Sequence, residues 1–573
     1  MSSDLFSFQF ANDFSGGDQP SYNVIDAQYV SFPDVNMGSY PMNQINFNSM
    51  TLKGDAAYKV FDYQSGYVQI PFQCLLQSAN ATFDPTFSYT YALNHLGSHF
   101  FIENLTLQVD GTNVVKDVPC SSVWRHKQFE SWSDEKMKIW GNGILQTAFD
   151  EGDSMTFSTT AGEVNNQTVA PTTLAQRANP ATKLNPAMLK RAELQWRDGT
   201  QASRNTPSIF TGETLTLTSV QNQGQITFVD ASNIVYSGVA IIPLALLHPF
   251  FNNLPSLVNC VFSLNLHLNI GNSNSWTVNY NPTTNAVTSV VSGQSVGNVC
   301  PFILAPTSAD GSTGLKVTPV VGAAAYSLRI TSNIGWNLNT IQGVTIPAGG
   351  SLGGGRPCAI VLPTIIYTPP LYKKILDNKD CTFFYRDIYV QRDSGRTGSN
   401  PIQVPITTAI ARARKLWIIP TLASSPNQYP ESLQSPLTSA GITSCPVRLK
   451  NLQVRMGGAN CFQNWLVTNE EFFDQRFMSM NALVNGNCVS SLQFGSQITK
   501  GMFCSGAYGA TCVNLQHSDC AESDVLQANF TLEYIIDAPN TGATYNMWYI
   551  IEFDGICTID RATGQIAQSP GKL

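Results

Sequence analysis

Charge is scarce in this sequence. Asp, Glu, Lys and Arg together make up 12% of the 573 residues, about half the ~25% usual for a soluble protein. That argues against many exposed helices, whose outer faces need Glu, Lys and Arg. Asn, Ser, Thr, Gln and Gly stand in their place, a composition suited to turn-rich β structure. Lysine and arginine are missing altogether from residues 1–52, which hold five aspartates: Asp4, Asp13, Asp18, Asp26 and Asp34. An arm of that composition does not neutralise nucleic acid. The net charge of -7 points the same way for the whole chain, because phosphate affinity comes from clustered cations. No C-x-x-C pair occurs, and the 13 cysteines are odd in number, so free thiols in a reducing compartment are expected rather than a disulfide framework. The opening MSSDLFSFQFANDF has neither the positive flank nor the apolar block of a secretory signal. The longest apolar stretch, Val239 to Phe251, is broken by Pro243, His248 and Pro249 and is too short to cross a bilayer. A soluble chain made in the cytoplasm is the expectation, and the Asn-x-Thr matches at Asn80, Asn104 and Asn529 read as chance.

What the sequence does have is alternation. From Phe262 to Ile270, apolar Phe262, Leu264, Leu266, Leu268 and Ile270 alternate with Ser263, Asn265, His267 and Asn269, the period of a half-buried strand. The preceding residues are apolar too, but Pro243, Pro249 and Pro255 forbid a long helix or a ladder strand. A short helical turn or a buried loop is what remains. Leu105, Leu107 and Val109 alternate in the same way before Asp110-Gly111, a pair suited to a type I′ hairpin. Leu452, Val454 and Met456 do so before Gly457-Gly458.

These two hairpins superpose at a constant offset. Asn104, Leu105, Gly111 and Asn113 meet Asn451, Leu452, Gly458 and Asn460, with the same strand parity and the turn in the same place. A chain of this length exceeds what one core organises. The match therefore favours two copies of one β-sandwich. Further strand readings cover Lys59–Phe72 around Ser65-Gly66, Thr214–Thr218, Cys358–Pro370, Phe383–Gln391, Ile402–Pro420, Phe530–Ile536 and Met547–Phe553. A turn is expected at Asp393–Arg396, a short helix around Trp124, Trp132 and Trp140, and a helical turn at residues 469–477. The expected fold is all-β: two tandem antiparallel eight-stranded jelly-roll sandwiches with short helices in the loops. Residues 1–52 are read as an arm, in which Phe6, Phe8 and Phe10 alternate. Residues 53–373 form the first jelly roll, with long loops at 150–205 and 271–355, and residues 374–573 form the second.

Leu246, Pro249, Phe250, Phe251, Leu254 and Pro255, followed by the alternating strand, resemble the same segment in the double jelly-roll major capsid proteins of polinton-like viruses and virophages. Cys358–Pro370 and the run Gly441–Phe477, a strand, a glycine turn and an acidic-aromatic helix, extend the resemblance over both halves. It implies a non-enzymatic, self-assembling homotrimer that tiles an icosahedral shell around double-stranded DNA. The implied partners are neighbouring capsomers and the penton and minor capsid proteins, and the location is the virion capsid. No nucleic-acid site, transmembrane segment, catalytic residue, cofactor or metal is implied. A secreted carbohydrate-binding or carbohydrate-active β-sandwich is the alternative, and it calls for a signal peptide and an aromatic cleft with separated carboxylates.

Several motifs carry some residues of a site without its full pattern. Gly350–Gly355 has phosphate-loop glycine spacing, but Arg356-Pro357 stand where Lys-Ser/Thr is needed. Cys504, Cys512, Cys520 and His517 lack the close ligand pairs of a zinc site. His95 and His99 lack a third ligand. Glu470, Glu471 and Asp474 sit too close together to flank a sugar and suit a helix start. Arg412, Arg414 and Lys415 form one basic cluster, read as a contact with a neighbouring subunit.

Overall fold

The computed structural model describes residues 24–35, 44–53, 59–83, 92–94, 102–115, 226–268, 273–280, 283, 287–292, 302–304, 317–334, 340–341, 344–345, 357–377, 380–398, 400–410, 412–424, 448–481, 511–515, 528–537 and 544–568. Strands dominate them. In chain order the first half supplies β1 (Val24–Pro33), β2 (Gln44–Lys53), β3 (Tyr67–Ala79), β4 (Ile102–Val109), β5 (Thr112–Val115), β6 (Asn233–Pro243), β7 (Asn259–Leu268) and β8 (Ala359–Tyr367). The second half supplies β9 (Asp380–Thr397), β10 (Pro401–Ile410), β11 (Ala413–Ser424), β12 (Arg448–Met456), β13 (Ala459–Asn460), β14 (Thr511–Asn514), β15 (Ala528–Asp537) and β16 (Thr544–Asp560).

Pairing turns this order into a topology. In the first half β1, β8, β3 and β6 neighbour one another in one sheet, and β2, β7, β4 and β5 in another. In the second half the sheets run β9, β16, β11, β14 and β10, β15, β12, β13. Among these sixteen strands, with the additional short and flanking strands left out, the second half repeats the order of the first. All of these pairs are antiparallel. Two facing sets of four strands in this interleaved order make a jelly roll, and the chain makes it twice, with further strands widening one sheet of each copy to nine and five strands. The hairpins that superpose in sequence, β4–β5 and β12–β13, occupy the same place in each copy.

Alternation decides which side chains fill the cores. On β7 Leu264 and Leu266 are fully buried, opposite Phe47 and Ile45 of β2 and Leu107 and Leu105 of β4. In the second sandwich Val404 and Ile406, Leu416 and Ile418, Leu532 and Tyr534, and Met547 and Tyr549 pack between the sheets. The hydroxyls of Tyr534 and Tyr549 hydrogen-bond each other across that core, one donating and the other accepting, so both buried oxygens have a partner. At the β4–β5 turn Asp110 and Gly111 have φ of 50° and 74°, the left-handed pair a type I′ turn requires.

Several sequence expectations need correction. Part of 1–52 is not an arm, since β1 and all but the last residue of β2 fall there and belong to the sandwich, with Tyr29 opposite Pro363 and Ile45 opposite Leu266. The segment 271–355 is sheet in part: Ser273–Tyr280 and Val287–Ser292 pair with each other, and Ala325–Ile334 adds to β3 beside β8. Lys59–Phe61 and β3 do not form a hairpin, because both pair with β8. The expected turn at Asp393–Arg396 is an irregularity inside β9, with Gly395 at φ 74°. The prolines after β8 open a helix instead of only ending a strand: Pro369 starts a helix over Pro369–Asp377, as proline's fixed φ allows at a first helical position. The expected helix near Trp124–Trp140, the loop 150–205, the strand Thr214–Thr218 and the alternating Phe6, Phe8 and Phe10 lie outside the described residues.

Candidate functional site: the joint between the sandwiches and the exposed edge

The proline-interrupted stretch before β7 forms two single-turn helices, α1 (Leu244–Leu247) and α2 (Phe250–Asn253). Neither has a side-chain cap, so their stability comes from packing. The packing is against the other sandwich. Phe250 is fully buried, with its ring centroid 5.4 Å from that of Phe383 and 5.2 Å from that of Tyr385, the latter edge-on at 84°. Both partners lie on β9. Asn253 Nδ2 donates to the Phe384 carbonyl at 2.6 Å, and the Val258 N–H donates to the Arg561 carbonyl at 2.9 Å.

His248 completes the joint. It is 1% exposed; its Nδ1 accepts the Phe250 N–H at 3.1 Å, and its Nε2 lies 3.3 Å from Asp387 Oδ1. The first contact leaves the ring proton on Nε2, facing the carboxylate. Burial, and then the charge of Asp387, push the Tyr385 phenol up, so it stays protonated. Gly555 on β16 lets that ring lie flat on the backbone: a Cβ there would stand 2.6 Å from Tyr385 Cζ. Under the joint, the helix α3 (Pro369–Asp377) buries Leu371 and Ile375 against Val60 and Val258.

The opposite feature is an exposed edge. Among the described residues β1 pairs with β8 alone, and along it Val24, Ile25 and Tyr29 are 49%, 61% and 68% exposed. Strand edges of this kind are ready to pair or pack with another chain. On the second sandwich Phe384 and Trp465 are also exposed large side chains.

The motifs set aside in the sequence are distributed as follows. Glu470, Glu471 and Asp474 lie on α4 (Asn469–Asn481), exposed. Glu471 Oε2 accepts the N–H groups of Val467 and Thr468, and Thr468 Oγ1 accepts that of Glu471, which is a capping box. The Arg412–Lys415 cluster does not form one exposed basic patch. Arg414 is paired with Asp554 of its own chain, and Lys415 is 1% exposed. Consecutive residues of a strand face opposite ways, so proximity in sequence did not make a patch. Cys512 is buried on β14, and Cys381, Cys461 and Cys557 carry free thiols. Gly350–Gly355, Arg356, Cys504, His517, Cys520, His95 and His99 lie outside the described residues. Among the described residues, no three His, Cys, Asp or Glu side chains gather as metal ligands, and no helix is long and apolar enough to cross a membrane.

No protein-family model matches the sequence, and no curated protein matches it. Among solved structures the chain is similar to a chain of the Sputnik virophage structure determined by cryo-EM, with 12% identity and a TM-score of 0.48 over 98% of this chain and 92% of that one. It is similar to the mavirus major capsid protein at 10% identity and a TM-score of 0.43, over 96% of this chain and 92% of that one. The Faustovirus major capsid protein gives 10% identity and a TM-score of 0.42, over 95% and 92% of the two chains. The strand order read from the chain itself settles the architecture: it is a double jelly roll.

Proposed function

We propose that this chain is a non-enzymatic major capsid protein. It works as a homotrimer in which two jelly rolls per chain give a pseudo-hexagonal block, and the blocks tile an icosahedral shell around double-stranded DNA. The observation that carries the reading is the doubling. Two sandwiches of one strand order, locked by a buried joint, give a chain two nearly equivalent flanks to present to its neighbours. The exposed apolar residues of β1 supply surface for such a contact. The driving force is burial of apolar area between subunits, and obligate interfaces of this type remove about 2,000–5,000 Å² from water. Penton and minor capsid proteins are the further partners, the virion capsid is the location, and synthesis is in the host cytoplasm.

Light scattering on the purified chain tests the proposal. A stable species at three times the chain mass of 62.5 kDa, or closed shells, is the expected result, and Tyr29→Asp on the exposed edge shifts it toward monomer. A clean monomer at micromolar concentration that is retained on an oligosaccharide column overturns the capsid reading in favour of a carbohydrate-binding sandwich.

A further inference from the structure

Three polar side chains cross the second sandwich in one row. Lys415 on β11 is registered opposite Asn514 on β14 and, on its other side, opposite Glu552 on β16. Their sequence neighbours Leu416, Val513, Leu515, Ile551 and Phe553 belong to the core between the sheets. The three therefore share the other face, with Lys415 in the middle. Directly opposed residues of antiparallel strands hold their Cβ atoms about 5 Å apart, within reach of a lysine stem on either side.

The surroundings of this row are dry. Lys415 is 1% exposed and Glu552 3%, Asn514 is half-buried, and Trp417, Cys512 and Ile550 fill the next rung. Glu552 is held in place from two directions, since Trp417 Nε1 donates to its Oε1 at 2.7 Å and Arg386 Nη1 lies 3.5 Å from its Oε2. Among the described residues Lys415 Nζ has no hydrogen-bond partner. A buried ammonium with its donors unmet is a costly arrangement. Burial, partly offset by the charge of Glu552, brings the amine down to about 8. About a tenth of it is then the neutral nucleophile at pH 7, far more than for an exposed lysine.

We propose that Lys415 and Asn514 join into an isopeptide crosslink within the chain, with Glu552 carrying the proton. The Nζ lone pair attacks Cγ of the Asn514 side-chain amide, and a C–N bond forms. The Glu552 carboxylate takes a proton from the attacking nitrogen and passes it to the amide nitrogen, whose bond to Cγ breaks. One ammonia leaves, nothing is oxidised or reduced, and no further reagent is needed. The product exchanges a buried amine with unmet donors for a neutral amide. It also ties β11 to β14 across the long excursion between them, which restricts the unfolded chain as any covalent loop closure does.

Mass spectrometry of the denatured full-length protein decides the matter. The expected result is a mass lower than the sequence mass by one ammonia, with the tryptic peptide carrying Lys415 covalently joined to the one carrying Asn514. Lys415→Arg and Asn514→Ala should each restore the full mass, and Glu552→Gln should leave the link incomplete in protein that still melts cooperatively. Wild-type protein at its full sequence mass, with the two peptides separate, overturns the proposal. So does an ammonia loss that persists in Lys415→Arg, since that places the chemistry elsewhere. Neither depends on whether the chain forms a capsid.

Discussion

Replacing Phe250 by alanine should loosen the two sandwiches from each other. The side chain is fully buried and meets Phe251, Phe383 and Tyr385 with ring centroids 5.9, 5.4 and 5.2 Å away. Truncating a buried phenylalanine removes its transfer energy and leaves a cavity, together about 3–5 kcal/mol. Each well-oriented ring pair adds about 0.5–1.5 kcal/mol beyond area burial. Both ring partners across the joint, Phe383 and Tyr385, are on β9, so the loss falls on the contact between the halves and not on either core. In calorimetry the Phe250→Ala chain should unfold in two separated transitions, because coupling between the sandwiches is what merges them.

A double-mutant cycle isolates the contact. Phe250→Ala and Phe383→Ala together should cost less than the sum of the single changes, by about 0.5–3 kcal/mol in urea unfolding, as expected for residues that touch. Phe384→Ala is the control. It is the next residue on β9 but faces outward at 60% exposure, and it should fall within about 0.5 kcal/mol of wild type. Strict additivity of Phe250→Ala and Phe383→Ala, or a loss from Phe384→Ala equal to that from Phe383→Ala, would refute the proposed joint.

Other changes follow from the same geometry. Leu266→Asp places a carboxylate between Ile45 and Leu105 in the first core; at a cost of at least about 4 kcal/mol, soluble protein with native near-UV circular dichroism should not be recovered. Gly555→Ala drives a methyl into the Tyr385 ring and should cost about 1–3 kcal/mol, with Tyr385→Leu restoring part of it. Backbone donors at Thr468 and Val467 hold the Glu471 carboxyl below its ordinary value of 4.5. Its contribution is therefore present above that pH and lost as the pH falls through the lower folded value. The melting-temperature gap between wild type and Glu471→Gln should close on acidification, and a gap unchanged at low pH would contradict the capping box.

How much of this was legible in the sequence depended on how local the cause was. Alternation on β7 and the Asp110-Gly111 turn are written in adjacent residues, and the offset hairpins gave the duplication. β1 was missed because its residues alternate weakly and are exposed nearly throughout; an edge strand is defined by its partner β8, some three hundred residues away. The Lys415 row was misread for the same reason. Arg412, Arg414 and Lys415 look like one patch in sequence, while the neighbours that give Lys415 its chemistry, Asn514 and Glu552, come from strands far along the chain.

The joint shows why duplication alone does not make this molecule. In the first copy β1 and β8 are 10 and 9 residues long, while their counterparts β9 and β16 have 18 and 17. The surplus is at one end: Asp380–Arg386 pairs with Asp554–Asp560 beyond the core. Cys381, Phe383 and Tyr385 on that extension are buried, and Phe383 and Tyr385 are the residues that receive Phe250. Two identical sandwiches would each offer α1 and α2 a flank that ends with the core, and the proline-rich turns would have nothing to bury against. Lengthening one strand pair in one copy builds a platform for the other copy's loop. The two halves are thereby fixed at one angle, and nearly equivalent flanks need such a fixed angle if they are to meet their neighbours in the same way.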